Sequence, residues 1–238
     1  MDTAMSGRRT AAFFDIDHTL IGADSGILFV RYLIGRGAMR WRDLLGPAYY
    51  TVLYRLNWLD INAVYRRYQR WVRGRSHAEM EQVCQEWYAA CVRPVIYPKM
   101  VSAIDEHRRA GHVVAILSSA TAYVAEPLAR ELGIEHVLVN RLIVKDGQLT
   151  GDAVLPLCWG AGKTHWAQRF AEEHGIDLQQ SYFYSDAISD LPMLEMVGQP
   201  RVVNPDRLLR RQAQRRGWPI LQVERAAHAA PVARGGAS

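Results

Sequence analysis

The sequence predicts an α/β fold, a doubly wound parallel sheet interrupted early by an inserted α-helical domain. Three observations carry this. A continuous apolar run at residues 10–17 ends in polar residues, as a strand buried on both faces would. After Pro98, short β-branched runs alternate with amphipathic stretches, the rhythm of a parallel sheet with crossover helices. Between them, residues 22–93 keep a helical rather than an alternating apolar period.

Taken in order, residues 10–17 are the first strand, and its polar end would lie at the carboxyl edge of the sheet, where open α/β folds bind ligands. The insert follows. Leu28, Tyr32, Ile34 and Met39 form one apolar stripe and Val64, Tyr68, Trp71 and Val72 another, with Gly35, Gly37, Gly46, Pro47 and Gly74 as punctuation. That pattern predicts several helices with a small core of their own. Residues 99–110 read as a helix stopped by Gly111, and 113–117 as a strand followed by Ser118 and Ser119. A helix over 122–132 stops at Gly133, and a short strand spans 137–139. Residues 142–144, the Asp146-Gly147 turn and Leu149 onward read as a hairpin. The rest reads as helix 164–174, strand 182–184, helix 191–197, strand 201–203, helix 207–215 and strand 220–223. The stretch 224–238, rich in Ala, Arg and Gly, reads as a disordered tail.

Composition narrows the function classes. Of 238 residues 49% are apolar, with 7 Trp and 11 Tyr, enough for a sizeable core. The formal charge of +5 favours anionic substrates through long-range steering. A local excess at Arg66, Arg67, Arg70, Arg73 and Arg75 reads as a solvated helix face, since no nucleic-acid module accompanies it. The three cysteines, Cys84, Cys91 and Cys158, form no C-x-x-C pair, which argues against a disulfide framework or a structural zinc and for a reducing, cytoplasmic setting. Residues 1–9 are polar rather than signal-like, and 44–59, the most apolar long stretch, holds Pro47, Arg55 and Asn57, so no membrane span is expected.

Four motifs carry chemistry. In Asp15-Ile16-Asp17-His18-Thr19-Leu20, one carboxylate can attack phosphorus and a second can shuttle the leaving group's proton; an exposed acid pair in a turn is the plainer reading. Ser118 and Ser119, at a strand end, can hold phosphoryl oxygens, or a serine or Thr121 can cap the next helix. Lys163 follows Gly160-Ala161-Gly162, but a phosphate-binding P-loop would need glycine where Leu157 stands. A cation at a helix start opposes the helix dipole, so it serves an anionic partner or is a simple surface lysine. Asp186 and Asp190, after an apolar strand, suit magnesium, which takes one or two carboxylates and keeps waters. Ser189 or Asp190 before Leu191-Pro192 would also cap a helix.

With these four motifs in this order, the chain resembles the haloacid-dehalogenase (HAD) superfamily, and within it the phosphoserine-phosphatase-like branch with a helical C1 cap, HAD-IB. The resemblance implies a HAD-type Rossmann-like core at residues 10–21 and 94–223 and a helical cap domain at 22–93. It further implies Asp15 as nucleophile and Asp17 as acid/base, Ser118 on a phosphoryl oxygen and Lys163 between nucleophile and phosphate. Asp15, Asp17 through its carbonyl, Asp186 and Asp190 would serve Mg2+, with Asp190 in support of the ion or of Lys163. Thr19, Asp24 and Ser119 would contact substrate. The expected activity is magnesium-dependent hydrolysis of a small-molecule phosphate monoester through an aspartyl phosphate, by a monomer or homodimer. A phosphotransferase or mutase of the same superfamily, or a non-catalytic binding protein, are the alternatives. An acid at Asp17 favours phosphoester chemistry, because dehalogenating and ion-pumping relatives lack one there. The chain departs from the branch at His18 for a small residue, Asp24 for Glu, Ser119 for Gly and Ser189 for Asn. These departures leave phosphoserine, histidinol phosphate and larger or more apolar esters all as candidate substrates.

Overall fold

The computed structural model describes residues 8–38 and 70–224. Strand β1 (Ala11–Phe14) is short because only its four apolar residues can be enclosed on both faces, and all four are fully buried. Ala12 and Phe14 face one apolar cluster, Ala11 and Phe13 a second on the other side of the sheet. The chain then enters the insert through α1 (Ser25–Gly35), which Asp24 caps by accepting from the Ile27 amide at 2.8 Å. Leu33, not Ile34, is the buried apolar residue of this helix, while Leu28 and Tyr32 pack against the larger cluster. The stripe residues Met39, Val64 and Tyr68, Arg66 and Arg67, the stretch 44–59 and the tail from 225 lie outside the described residues.

Helix α2 (His77–Trp87), capped by Ser76, runs into a π-turn at Tyr88–Val92 and a 3-10 turn at Arg93–Val95. Helix α3 (Pro98–Arg109) opens on a proline, whose missing N–H costs nothing in the first turn. Then come β2 (Val113–Thr121), α4 (Ala122–Leu132) ending on left-handed Gly133, and β3 (His136–Asn140). Strands β4 (Leu142–Lys145) and β5 (Gln148–Ala153) form the hairpin, with Asp146 and Gly147 at φ 51° and 74° supplying the left-handed turn that matches strand twist. Helix α5 (Ala161–His174), β6 (Tyr182–Ser185), α6 (Leu191–Met196), β7 (Gln199–Val203), α7 (Arg207–Arg216) and β8 (Ile220–Leu221) complete the chain.

The six-stranded sheet is parallel throughout, in the order β3-β2-β1-β6-β7-β8. With the hairpin set aside, this is the Rossmann-like order 3-2-1-4-5-6, whose direction reverses between β1 and β6. Strand β2 continues past Leu117 to Thr121. A register shift between Ser118 and Thr121 lets the extra residues pair with β3, and Asn140 Nδ2 donates to the Ser119 carbonyl at 2.7 Å. The last strand is only two residues, fewer than the alternation suggests, because Asn204 takes over the edge beyond it: its side chain bonds the Val223 carbonyl and amide at 2.8 and 2.9 Å.

The described part of the insert has no core separate from the sheet. Val72, Met80, Cys84, Trp87 and Tyr88 share one buried cluster with Phe14, Ile116 and Leu128. The insert is also pinned by backbone. Where it leaves and returns, Gly22 donates to Val95 at 2.7 Å and Tyr97 to Leu20 at 2.9 Å. Its later segment pairs with the hairpin, Gly74 to Leu149, Leu149 to Arg75 and His77 to Gly147, at 2.8 to 2.9 Å. Among the described residues no helix is long and apolar enough to cross a membrane.

Candidate active site

The site lies where the strand order reverses, at the carboxyl ends of β1, β2 and β6. Asp15 follows β1 directly, its amide donating to the Tyr184 carbonyl of β6 at 3.0 Å. Its Oδ1 accepts from Lys163 Nζ at 2.9 Å, and Lys163 also bonds Asp190 Oδ2 at 2.7 Å. Lys163 is 1% exposed, Asp190 2% and Asp15 6%, so the row carboxylate–ammonium–carboxylate is closed to water. Burial alone would push the Lys163 ammonium down, but Asp15 and Asp190 outweigh it and hold the pKa above the ordinary lysine range. Lys163 is therefore a fixed buried cation, not a surface lysine. Ser185 Oγ, the last residue of β6, donates to the same Asp190 oxygen at 2.6 Å.

The local backbone explains how Lys163 reaches this position. Helix α5 begins at Ala161, three residues before the start expected from the sequence, so Lys163 sits in its first turn. Gly160 holds φ 53°, a left-handed value that glycine takes without penalty. A Cβ on Gly162 would run into the Leu157 carbonyl oxygen. These glycines answer backbone needs and not a phosphate loop.

Asp17 lies past the bend after β1. His18 at φ 55° makes that bend, one of the few side chains that visit the left-handed region, and its amide donates to the Ala23 carbonyl. Asp17 takes two bonds from the first residue of α1: Ser25 N to Oδ1 at 3.0 Å and Ser25 Oγ to Oδ2 at 3.1 Å. Burial, then the neighbouring Asp24 and Asp15 carboxylates, raise its pKa well above the usual range despite Ser25. Asp186 is likewise raised, by burial and then by Asp15, Asp190 and Asp17. Four acids thus crowd one buried cation. That surplus negative charge, presented by hard oxygen donors, fits a divalent cation such as Mg2+. No group of three or more His, Cys, Asp or Glu side chains among the described residues closes around an ion by itself. A carbonyl and waters would have to complete the coordination, as magnesium prefers.

Ser118 is buried on β2, its hydroxyl accepting from the Ala120 amide at 3.3 Å. It does not cap α4; Thr121 holds that place without a side-chain bond. Ser119 is exposed beside it. Thr19 is fully buried and its hydroxyl finds no partner among the described residues. Asp24 spends one oxygen on capping α1. Sequence reasoning missed Ser25, whose only signal was its place after a capping acid. It also missed Asn140, which ties β3 to the site by bonding Ser119 O and the Cys158 amide at 2.7 and 2.8 Å. A groove of about 530 Å3 lined by Arg8, Gln168, Glu172 and Asp177 lies where β1 and β6 begin, at the other edge of the sheet, and touches none of these side chains.

A family model for haloacid dehalogenase-like hydrolases matches residues 12–195. Two proteins of Mycobacterium tuberculosis, a probable phosphatase and a phosphoserine phosphatase, are 35% and 33% identical over 91% and 93% of this chain and 76% and 73% of theirs. A histidinol-phosphatase of Neisseria meningitidis is 30% identical over 90% of this chain and 98% of its own. Among solved structures, a phosphoserine phosphatase held as a phospho-aspartyl intermediate analogue superposes with a TM-score of 0.69, at 20% identity over 92% of this chain and 95% of that one.

Proposed function

The chain belongs to the haloacid dehalogenase-like hydrolases and is a phosphatase of the phosphoserine-phosphatase-like kind, and from that premise we propose that it cleaves small-molecule phosphate monoesters through an aspartyl phosphate on Asp15. The observation that carries the reading is the buried row Asp15–Lys163–Asp190 at the switch point of the sheet. Lys163 fixes one Asp15 oxygen and leaves the other without a bond among the described residues. That free oxygen attacks phosphorus. Asp17, whose neutral form is favoured by burial and by its acidic neighbours, gives its proton to the departing alkoxide. The resulting carboxylate then takes a proton from water, which attacks the phosphorus of the aspartyl phosphate and frees inorganic phosphate and Asp15. Ser118 and the backbone at the end of β2 receive phosphoryl oxygens, and Lys163 offsets their charge.

Asp15 and Asp186, with the Asp17 carbonyl, would hold Mg2+. Asp190, already bonded to Lys163 and Ser185, supports Lys163 and not the ion directly. When bound, the ion supplies charge neutralisation of the transferring phosphoryl group. We read residues 22–93 as the cap that screens the ester's leaving group from water. The relatives' names put phosphoserine and histidinol phosphate first among candidate substrates. The free thiols of Cys84, Cys91 and Cys158 suit the cytoplasm.

The test is phosphate release from an ester panel that includes both compounds, with magnesium or chelator, for wild type and Asp15→Asn. Turnover that needs the metal and disappears in the variant supports the reading. Turnover that survives Asp15→Asn rules out Asp15 as nucleophile. Phosphoryl transfer to an added alcohol in preference to water would point to a phosphotransferase instead.

A further inference from the structure

We infer that the outer face of α7 is a docking surface for an anionic lipid bilayer, through a row of arginines that meets lipid phosphates. The helix reads Arg-Leu-Leu-Arg-Arg-Gln-Ala-Gln-Arg-Arg and contains no acid. Its inner side is spent on the core, with Leu209 and Ala213 fully buried. Arg207, Arg211 and Arg215 recur every fourth residue, which stacks them in one row on the opposite side, and Arg210 flanks them. All four are exposed. None has an acidic partner among the described residues; the neighbouring Arg216 alone is paired, with Glu195.

The row costs the helix stability in isolation. Like charges one turn apart repel, and Arg207 and Arg210 oppose the positive end of the helix dipole. An opposite charge outside the molecule would relieve both. Guanidinium groups bind phosphate in a two-pronged geometry that matches lipid headgroups. The row is convex and spans two helical turns, so no single small anion can engage all of it, whereas a plane of headgroups can. Leu208 decides between macromolecular anions. It stands 45% exposed at the margin of the row, an aliphatic side chain that the acyl boundary of a bilayer accepts and a nucleic-acid backbone does not. Trp218, the nearby aromatic ring, is half-buried under Arg216 and offers no base-stacking platform.

The surface abuts the candidate active site. Asp206, which caps α7, also accepts from the Ile188 amide at 2.9 Å, and its own amide donates to the Asp186 carbonyl at 3.0 Å. Docking through α7 therefore brings its first turn, beside the Asp186 segment, close to the bilayer.

The experiment is sedimentation of the full chain with phosphatidylcholine vesicles with and without phosphatidylglycerol, at low and high salt. Binding is expected only with phosphatidylglycerol and only at low salt. Replacing Arg207, Arg211 and Arg215 together by Gln should weaken it by roughly a hundredfold, about fivefold for each charge, whereas the triple Lys variant, which keeps the charges but not the two-pronged geometry, should weaken it much less. Hydrolysis of a soluble ester should be unchanged in both. The single charge reversal Arg211→Glu gives a second reading that leaves the rest of the row intact, and it should weaken binding more than Arg211→Gln. The inference is overturned if wild type ignores anionic vesicles, if the Gln variants bind like wild type, or if a duplex oligonucleotide competes the protein off the vesicles at matched phosphate.

Discussion

The fate of single side chains here turns on burial. Lys163 is enclosed with Asp15 and Asp190. Removing one member of such a group leaves the others charged and unpaired, which costs far more than losing a surface ion pair. Lys163→Met is therefore expected to lower unfolding free energy by about 3–5 kcal/mol and to abolish phosphate release. Urea denaturation and the ester assay check the two halves separately. No alkaline loss of the pairing is expected in the ordinary range. A lysine whose folded pKa is raised contributes in full below the unfolded value near 10.5 and loses that contribution as pH rises from there through the raised value. Asp15, Asp17, Lys163, Asp186 and Asp190 were all legible as chemistry-bearing residues in the sequence. The distances among them were not, because they come from two strand ends and a helix start brought together only in the sheet.

At the scale of elements, the start of α5 is the sensitive joint. Gly162 packs against the Leu157 carbonyl so closely that any side chain must push the helix outward. Gly162→Ala should cost about 1–3 kcal/mol through overpacking and shift Lys163 away from Asp15, so that turnover drops more than stability explains. A melting curve beside the ester assay reads both; normal turnover in Gly162→Ala would mean the helix can give way harmlessly.

A second element-scale device is the aromatic layer beneath the site. His107 Nε2 bonds the Tyr184 hydroxyl at 2.9 Å, its Nδ1 meets His112 Nδ1 at 2.8 Å, and Phe14, Tyr182 and Arg201 stand around it. Burial, His112 and Arg201 lower its pKa to about 4. A depressed histidine favours the folded state when neutral. Its contribution is full above the unfolded pKa near 6.5 and is lost as pH falls towards 4. The loss across that window is on the order of 3 kcal/mol. Urea midpoints of wild type should fall over this range, and those of His107→Gln, which keeps a polar partner for Tyr184 but does not titrate, should fall less.

For the whole molecule, the balance of charge at the switch point is the governing fact. Asp15, Asp17, Asp186 and Asp190 face one buried ammonium, so the chain without metal is electrostatically strained. Saturating magnesium should raise the melting temperature, with about 2.7 kcal/mol of added stability at a hundredfold excess over Kd, and chelator should reverse it. In the Asp186→Asn variant the gain should shrink. A melting temperature indifferent to magnesium would argue against an ion in this site.

Taken alone, the sequence specifies the fold class, the places where strands end in reactive side chains, and the hairpin at Asp146-Gly147, because apolar period and turn chemistry are local properties. It also carried the exclusion of a P-loop, since that motif is a matter of spacing. It misplaced what depends on enclosure. The described part of the insert shares the core of the sheet instead of keeping its own, because a helix stripe says that a face is buried but not against what. The arginines read as a solvated face are exposed where they are described: Arg70, Arg73 and Arg75, the last two bonding the Thr150 and Trp71 carbonyls. The burial of Lys163 between two carboxylates is a tertiary result, since its partners lie 148 and 27 residues away in the chain and are brought near by the sheet order.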